Sequence, residues 1–439
     1  MNIIDNIFFA IILFLGFGYF AINVKKLIRN IKLGKKINRT DQPKVRFNNM
    51  LRIAFGQSKM VSRPIPAILH IIVYVGFVII NIEMLEIIID GLFGTHRVLS
   101  FLGPVYDVLI ASFEILAFLV IVSVIIFWLR RNVVKTERLV HQDLEGYAKK
   151  DGNTILYFEI ALMFLFLLMN AADYTLQLRQ FPHYEEVGSF PISQYISTFL
   201  SNFSNAQVYA IERLSWWLHI IGILIFLNYL YFSKHLHILL AFPNTYFADI
   251  NALGKLDNLE SVTNEVKLMM DPNANPYTAS DSNTVPEKFG ASDVMDLNQV
   301  QLLNAYSCTE CGRCTAVCPA NTTGKKLSPR KIMMSTRDRL EEVGSVLDKN
   351  NGIWVDDGKT LLNHYITTEE LWACTTCNAC VEECPISISP LSIIMDMRRY
   401  LVMEQSAAPQ PINAMLSNIE NNAAPWQYNQ MDRLNWKNE

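Results

Sequence analysis

The sequence predicts an all-α membrane protein in two parts, a bundle of five transmembrane helices followed by a helical soluble domain built around cysteine ligands. Three observations carry this. Apolar runs of spanning length stop near residue 240, every cysteine lies beyond residue 300, and the cysteines repeat one spacing twice. A chain of 439 residues accommodates two or three domains, and 51% apolar residues with a mean hydropathy of +0.19 is high for a soluble protein. The net charge of -3 makes no case for nucleic-acid binding.

A helical span needs roughly 20 mainly apolar residues. Five segments meet this: 3–24, 65–90, 104–129, 154–177 and 212–233. The first loop carries Lys25, Lys26, Arg29, Lys32, Lys35, Lys36, Arg39, Lys44, Arg46, Arg52, Lys59 and Arg63, and the third begins with Arg130, Arg131, Lys135 and Arg138. Loops two and four hold little positive charge beyond Arg97 and Arg179. The positive-inside rule therefore expects the N-terminus outside and everything after Lys234 in the cytoplasm. The acidic start Met-Asn-Ile-Ile-Asp argues that the first span is retained rather than cleaved as a signal peptide. Between spans four and five, apolar residues at 192, 196, 199, 200 and 203 follow helical spacing, and this segment is expected to lie along the outer surface.

All eight cysteines fall into Cys308-x2-Cys311-x2-Cys314-x3-Cys318-Pro319 and Cys374-x2-Cys377-x2-Cys380-x3-Cys384-Pro385. In such a pair of motifs each close triplet holds three irons of a [4Fe-4S] cubane, and the displaced cysteine before proline ligates the cluster of the other motif. The expected sets are Cys308, Cys311, Cys314 and Cys384 for one cluster, with Cys374, Cys377, Cys380 and Cys318 for the second. Zinc is the rival metal for paired Cys-x2-Cys steps, but its sites do not require three consecutive steps in duplicate. Thiols in this pattern also imply a reducing compartment.

The eight histidines can be weighed singly. Imidazole is a usual axial ligand of haem b between transmembrane helices, and an ionisable residue inside a span is a functional candidate. His70 and His237 share an inner-side depth and form the candidate haem pair. His219 lies about five helical turns before His237 on a continuous helix, on the same face, while His235 would then point elsewhere. A second haem on His219 stays open, with Met84 or His96 as its partner. His96, His141, His183 and His364 read as structural or solvent-exposed. Glu83, Glu86, Glu114 and Glu159 are costly in lipid and either hydrogen-bond inside the bundle or serve a proton-exchanging quinone site.

The segments Leu69-His70-Ile-Ile-Val-Tyr-Val-Gly76-Phe77 and His219-Ile-Ile-Gly222 through Lys234-His-Leu-His237 resemble the cytochrome b gamma subunit of respiratory nitrate reductase. That family places haem between spans two and five and carries a second histidine in span two, where this chain has Ile80. The segments around Cys308–Cys318, with Leu327-Ser-Pro-Arg330 after them, and around Cys374–Cys384 are similar to membrane iron-sulfur oxidoreductases of the heterodisulfide-reductase and electron-transfer-flavoprotein:menaquinone oxidoreductase type. The resemblance implies a five-helix transmembrane cytochrome b bundle (1–240), a linker (241–300), a cytoplasmic α-helical dicluster ferredoxin domain (301–405) and a partner-docking tail (406–439).

By the same resemblance the chain is a subunit of a quinone-linked oxidoreductase in a bacterial inner membrane. It would pass electrons between a cytoplasmic partner and menaquinone through two [4Fe-4S] clusters and haem b. The tail from Pro425-Trp426 to Trp436 looks like the connector that precedes Cys-Cys-Gly domains in fused relatives, so a separate Cys-Cys-Gly subunit is the expected partner, with electron-transfer flavoprotein a further one. Two other readings stay open: a quinol-oxidising subunit feeding a heterodisulfide-type reductase, and a membrane redox sensor.

Overall fold

A computed structural model describes residues 3–272 and 288–438. Five long helices are apolar enough to cross a membrane: α1 (Ile3–Lys32), α3 (Pro64–Phe93), α4 (Pro104–Asn132), α5 (Tyr147–Leu178) and α7 (Asn205–Tyr229), which together with short α2 (Pro43–Met50) and α6 (Ser193–Ser197) make up the first half. The chain is a multi-pass membrane protein, and among the described residues it forms no strand, only two isolated bridges.

The helix boundaries follow from local chemistry. Pro64 and Pro104 begin α3 and α4 where a missing N–H costs nothing. Gly94, in left-handed conformation, closes α3 by donating its N–H to Asp90 O. Ser204 and Gln207 cap the start of α7 reciprocally. The long helices close a ring in which α3 packs on α4, α4 on α5, α5 on α7, and α1 bridges α7 back to α3. Phe9, Ile80, Phe113, Phe166 and Ile220 fill its centre.

The segment expected to lie along the outer surface forms α6 and a following 3₁₀ turn, and it is anchored to the bundle. The backbone N–H groups of Ile192 and Ser193 donate to Glu114, and Ser193 Oγ donates to Leu167 O, so this segment plugs the end of the bundle. Tyr195 and Phe199 remain exposed.

Beyond the bundle come α8 (His237–Tyr246), α9 (Glu260–Met270), α10 (Gln299–Ser307), α11 (Arg313–Ala316), α12 (Pro319–Thr322), α13 (Pro329–Lys349), α14 (Leu361–His364), α15 (Thr368–Ala373), α16 (Ala379–Glu383), α17 (Pro390–Arg399) and α18 (Gln410–Asn422). The segment expected as a linker over 241–300 opens on α8, whose Asn244 is buried, donates to Ile386 O and accepts from Asn304. Its residues 273–287 lie outside the described residues. α13 packs on α10 and α17 around Leu302, Ile332, Leu340 and Ile393.

This core is continuous with the end of the bundle through Leu27, Leu230, Leu236 and Leu240. Polar contacts add to it: Asn30 donates to Tyr306 OH, and Lys26 meets Asp348 at 3.1 Å. α18 and the turns after it stand clear of the core, with Trp426, Met431, Leu434 and Trp436 exposed.

Candidate metal centres

The two cysteine motifs fold alike. Each begins where a helix ends, α10 at Cys308 and α15 at Cys374, with both cysteines in extended backbone. Each then passes through two left-handed residues, Glu310 and Gly312 in one motif and Thr376 and Asn378 in the other. Gly312 is required, because a Cβ there would lie 2.6 Å from Arg330 Nη1 and 2.8 Å from Arg138 O. The short helices α11 and α16 carry Cys314 and Cys380 and pack on each other, which brings the motifs together.

Cys308, Cys311, Cys314, Cys384 and Cys380 line a cavity of about 400 Å³, counting its mouth. Cys384 lies within electrostatic reach of Cys308 and Cys314, and Cys318 within reach of Cys374 and Cys380. The structure thus brings the fourth cysteine of each motif to the other's triplet. Among the described residues no three His, Cys, Asp or Glu side chains converge closely enough to hold a single ion.

Burial pushes the Cys308 and Cys380 thiols up to about 12 and Cys384 to about 11. Backbone N–H groups of Thr376 and Ile388 donate to the sulfurs of Cys374 and Cys384, at 3.4 and 3.3 Å. Thiols gathered around a cavity, with amides aimed at two of the sulfurs, suit a cubane whose iron charge compensates the thiolates. Arg138 donates to Cys311 O at 2.8 Å and Arg398 to Cys374 O at 2.5 Å, two supports that the cysteine spacing does not reveal.

The histidine pair is also brought together, by a route different from the continuous helix expected from sequence. α7 gives way to a 3₁₀ turn ending at Phe232, and Ser233 is extended (φ −119°, ψ 149°). Tyr147 donates to Phe232 O at 2.7 Å, and the Lys234 N–H donates to Asp151 at 3.2 Å, so α5 fixes the break. The five-turn relation between His219 and His237 therefore does not hold.

His237 instead opens α8 and faces His70 across the bundle, with ring centroids 6.5 Å apart and planes at 41°. Two imidazoles binding one iron from opposite sides place their centroids roughly 6.4 Å apart, twice the sum of a metal–nitrogen bond of about 2 Å and the nitrogen-to-centre distance. His237 Nδ1–H donates to Lys234 O at 3.1 Å, leaving Nε2 as a ligand, and His70 Nδ1 is buried with no hydrogen-bond partner among the described residues. The pair fits a bis-imidazole haem. Burial lowers both His237 and His235, which favours the neutral imidazole that a metal ligand needs.

His235 does not point elsewhere, since losing the helix turns it onto His237 (5.5 Å, edge-on) and Phe226, with Nε2 3.7 Å from Glu159. His219 donates Nδ1–H to Leu162 O at 3.0 Å and packs on Phe166. His96, considered as its partner, is engaged by Asp173 at 3.3 Å and stacks edge-on to Tyr184.

Lys234 links the two centres. Its carbonyl orients His237, and its ammonium pairs with Glu310 inside the first cysteine motif and donates to Ala148 O at 2.8 Å. Glu310 also takes Arg337 at 2.9 Å. At the opposite end of the bundle Arg97 is buried, donating to Asp173 and Asn170 (2.9 Å each) and to Tyr106 (3.3 Å). A residue counted from sequence as a loop charge is a core element there.

Residues 307–388 match the family model of the 4Fe-4S dicluster domain. Across its whole length the chain is 30% identical to the "Probable iron-sulfur-binding oxidoreductase FadF" of Bacillus subtilis, covering 61% of that protein. Over 92% of its length it is 26% identical to the "EtfAB:quinone oxidoreductase" of Syntrophomonas wolfei, covering 55% of it. A stretch of 36% of the chain is 33% identical to the "Probable membrane-anchored ferredoxin" of Chromohalobacter salexigens. The chain thus spans less than two thirds of the length of each of these relatives, and no solved structure matches it. Its homologues are iron-sulfur oxidoreductases, and it carries their 4Fe-4S dicluster domain on a multi-pass membrane anchor.

Proposed function

We propose that the chain is the membrane electron-transfer subunit of a quinone-linked iron-sulfur oxidoreductase. Cys308, Cys311, Cys314 and Cys384 would hold one cluster, Cys374, Cys377, Cys380 and Cys318 the other, and His70 with His237 a haem b. These groups, when bound, supply one-electron carriers between a cytoplasmic partner and menaquinone. The chain's residues set their order. The observation that carries this reading is the contact through Lys234, which ties the loop between Cys308 and Cys311 to the orientation of His237. Arg313, two residues after Cys311, lies within electrostatic reach of His70 and donates to Ser62 Oγ, so the cluster loop rests on the start of α3.

The positive charge of the first and third loops supports a cytoplasmic cluster domain with the N-terminus outside. The likeness to the "EtfAB:quinone oxidoreductase" of Syntrophomonas wolfei supports EtfAB and a quinone as the two redox partners. The exposed apolar residues of the tail, Trp426 and Trp436 among them, support docking of a separate Cys-Cys-Gly subunit.

The test is spectroscopic. The purified chain should show reduced haem b absorbance that His237→Ala abolishes while both cluster signals persist. Chemically reduced centres should be reoxidised by a short-chain menaquinone analogue. A folded His237→Ala protein with full haem absorbance rules out that ligand, and centres that menaquinone never reoxidises rule out the quinone link.

A further inference from the structure

The half of the bundle away from the clusters holds more ionisable side chains than lipid tolerates without a purpose. Glu83 lies 13 residues beyond His70 on α3, roughly 20 Å deeper into the bundle. Around it is a cavity of about 410 Å³, counting its mouth, whose lining includes Glu83, Glu86, His96, Arg97, Asp173 and Arg213. Most carboxyls in this region are spent on structure. Glu86 accepts from Leu99 N–H and Tyr106 OH; Asp90 accepts from Thr95 Oγ1 and Arg97 N–H. Glu114 accepts from Asn170, Ile192 and Ser193, Asp173 from Arg97 and Gln177, and Glu212 from Tyr184.

Glu83 differs. It is 2% exposed, its Oε1 is 3.8 Å from Arg97 Nη1, and its Oε2 has no hydrogen-bond partner, the one buried carboxyl oxygen in that state among the described residues. An unsatisfied buried oxygen lining a cavity costs free energy unless water or a ligand meets it. At the mouth stands His96, its side chain 28% exposed and bound to Asp173.

We propose that this cavity is a proton-exchange site: Glu83 gains and releases a proton through water reaching it past His96, on the membrane face opposite the clusters. The partner reaction rests on the quinone function above. Reducing one quinone takes two electrons from the reduced centres and two protons. Glu83 supplies the two protons one after the other: each time an O–H bond forms on a quinone oxygen, the Glu83 O–H breaks. The carboxylate left behind faces Arg97, and a proton from water on the far face restores the acid. Arg97 keeps its own protons and acts as a fixed charge. The charged groups facing Glu83 are Arg97 from the loop, Glu86 from its own helix, Glu114 from α4 and Asp173 from α5.

The full chain in detergent should give an infrared carboxylic-acid C=O band that shifts in D₂O and is missing from Glu83→Gln, with both cluster signals unchanged. The same band persisting in Glu83→Gln overturns the proposal. In vesicles with the cluster domain outside, reducing a short-chain menaquinone analogue with dithionite should make the lumen alkaline, and Glu83→Gln should slow this at least tenfold. Protons drawn only from the cluster side overturn the proposal. Failure of the unaltered protein to reduce the quinone would overturn the function above instead, and the infrared band would still decide Glu83.

Discussion

Removing the negative charge of Glu310 while keeping its shape tests whether the Lys234 contact joins the two halves of the molecule. The Glu310 side chain is 3% exposed and receives Lys234 and Arg337, themselves 11% and 16% exposed. Taking one member from a buried pair costs roughly 3–5 kcal/mol, because the remaining charge is stranded. Here the cations keep secondary partners, Asp151 at 3.8 Å from Lys234 and Asp338 at 3.3 Å from Arg337. The lower end therefore applies, and Glu310→Gln should cost about 3 kcal/mol.

At roughly 2–4 °C per kcal/mol for a unit of this size, the melting midpoint of the detergent-solubilised protein should fall by about 6–12 °C. Lys234→Met added to Glu310→Gln should cost less than the two single changes together, since the second removes the stranded cation. A midpoint within about 1 °C of the unaltered protein, or strictly additive losses, would refute the linkage.

The pH dependence has a defined sign. Burial raises the Glu310 carboxyl, but Lys234 and Arg337 outweigh it and hold the group below the usual glutamate range. Its contribution is fully present above the unfolded value of about 4.3 and is lost as pH falls through the depressed folded value. Glu310→Gln should therefore flatten the acid limb of the stability curve.

Cys318→Ser should damage the cluster held by Cys374, Cys377 and Cys380, read by electron paramagnetic resonance; loss of only the other cluster's signal would refute the exchange of ligands. Gly312→Ala forces a side chain onto Arg330 and Arg138 O at φ +72°, and should cost roughly 1–3 kcal/mol and lower iron content, measured by metal analysis and thermal melting. Deleting residues 425–439 should release the soluble partner in mild detergent while clusters and haem persist; unchanged co-purification would count against the tail as a docking element.

Much of this protein is legible along the chain because the deciding features are local. Hydropathy over some twenty residues is enough to find a span, and the structure has helices at all five expected segments. Cysteine spacing determines which thiols share a short loop, and Cys-Pro turns the fourth away, so the candidate ligand sets could be written down before any packing was known. His70 and His237 both lie toward one end of spans two and five, and the rings do meet, although α7 does not continue to His237.

What only the tertiary structure decided lies between residues distant in sequence. The break at Ser233 depends on Tyr147 and Asp151 of α5, and it turns His235 onto His237. Arg97 reads as a loop charge until Asp173, Asn170 and Tyr106 surround it. Glu310 stands in the sequence only as a spacer between two cysteines until Lys234 and Arg337 close on it. Spacing and hydropathy report on near neighbours in the chain. A buried charge is stable only where packing brings its partner, and that pairing is a property of the folded bundle rather than of any one segment.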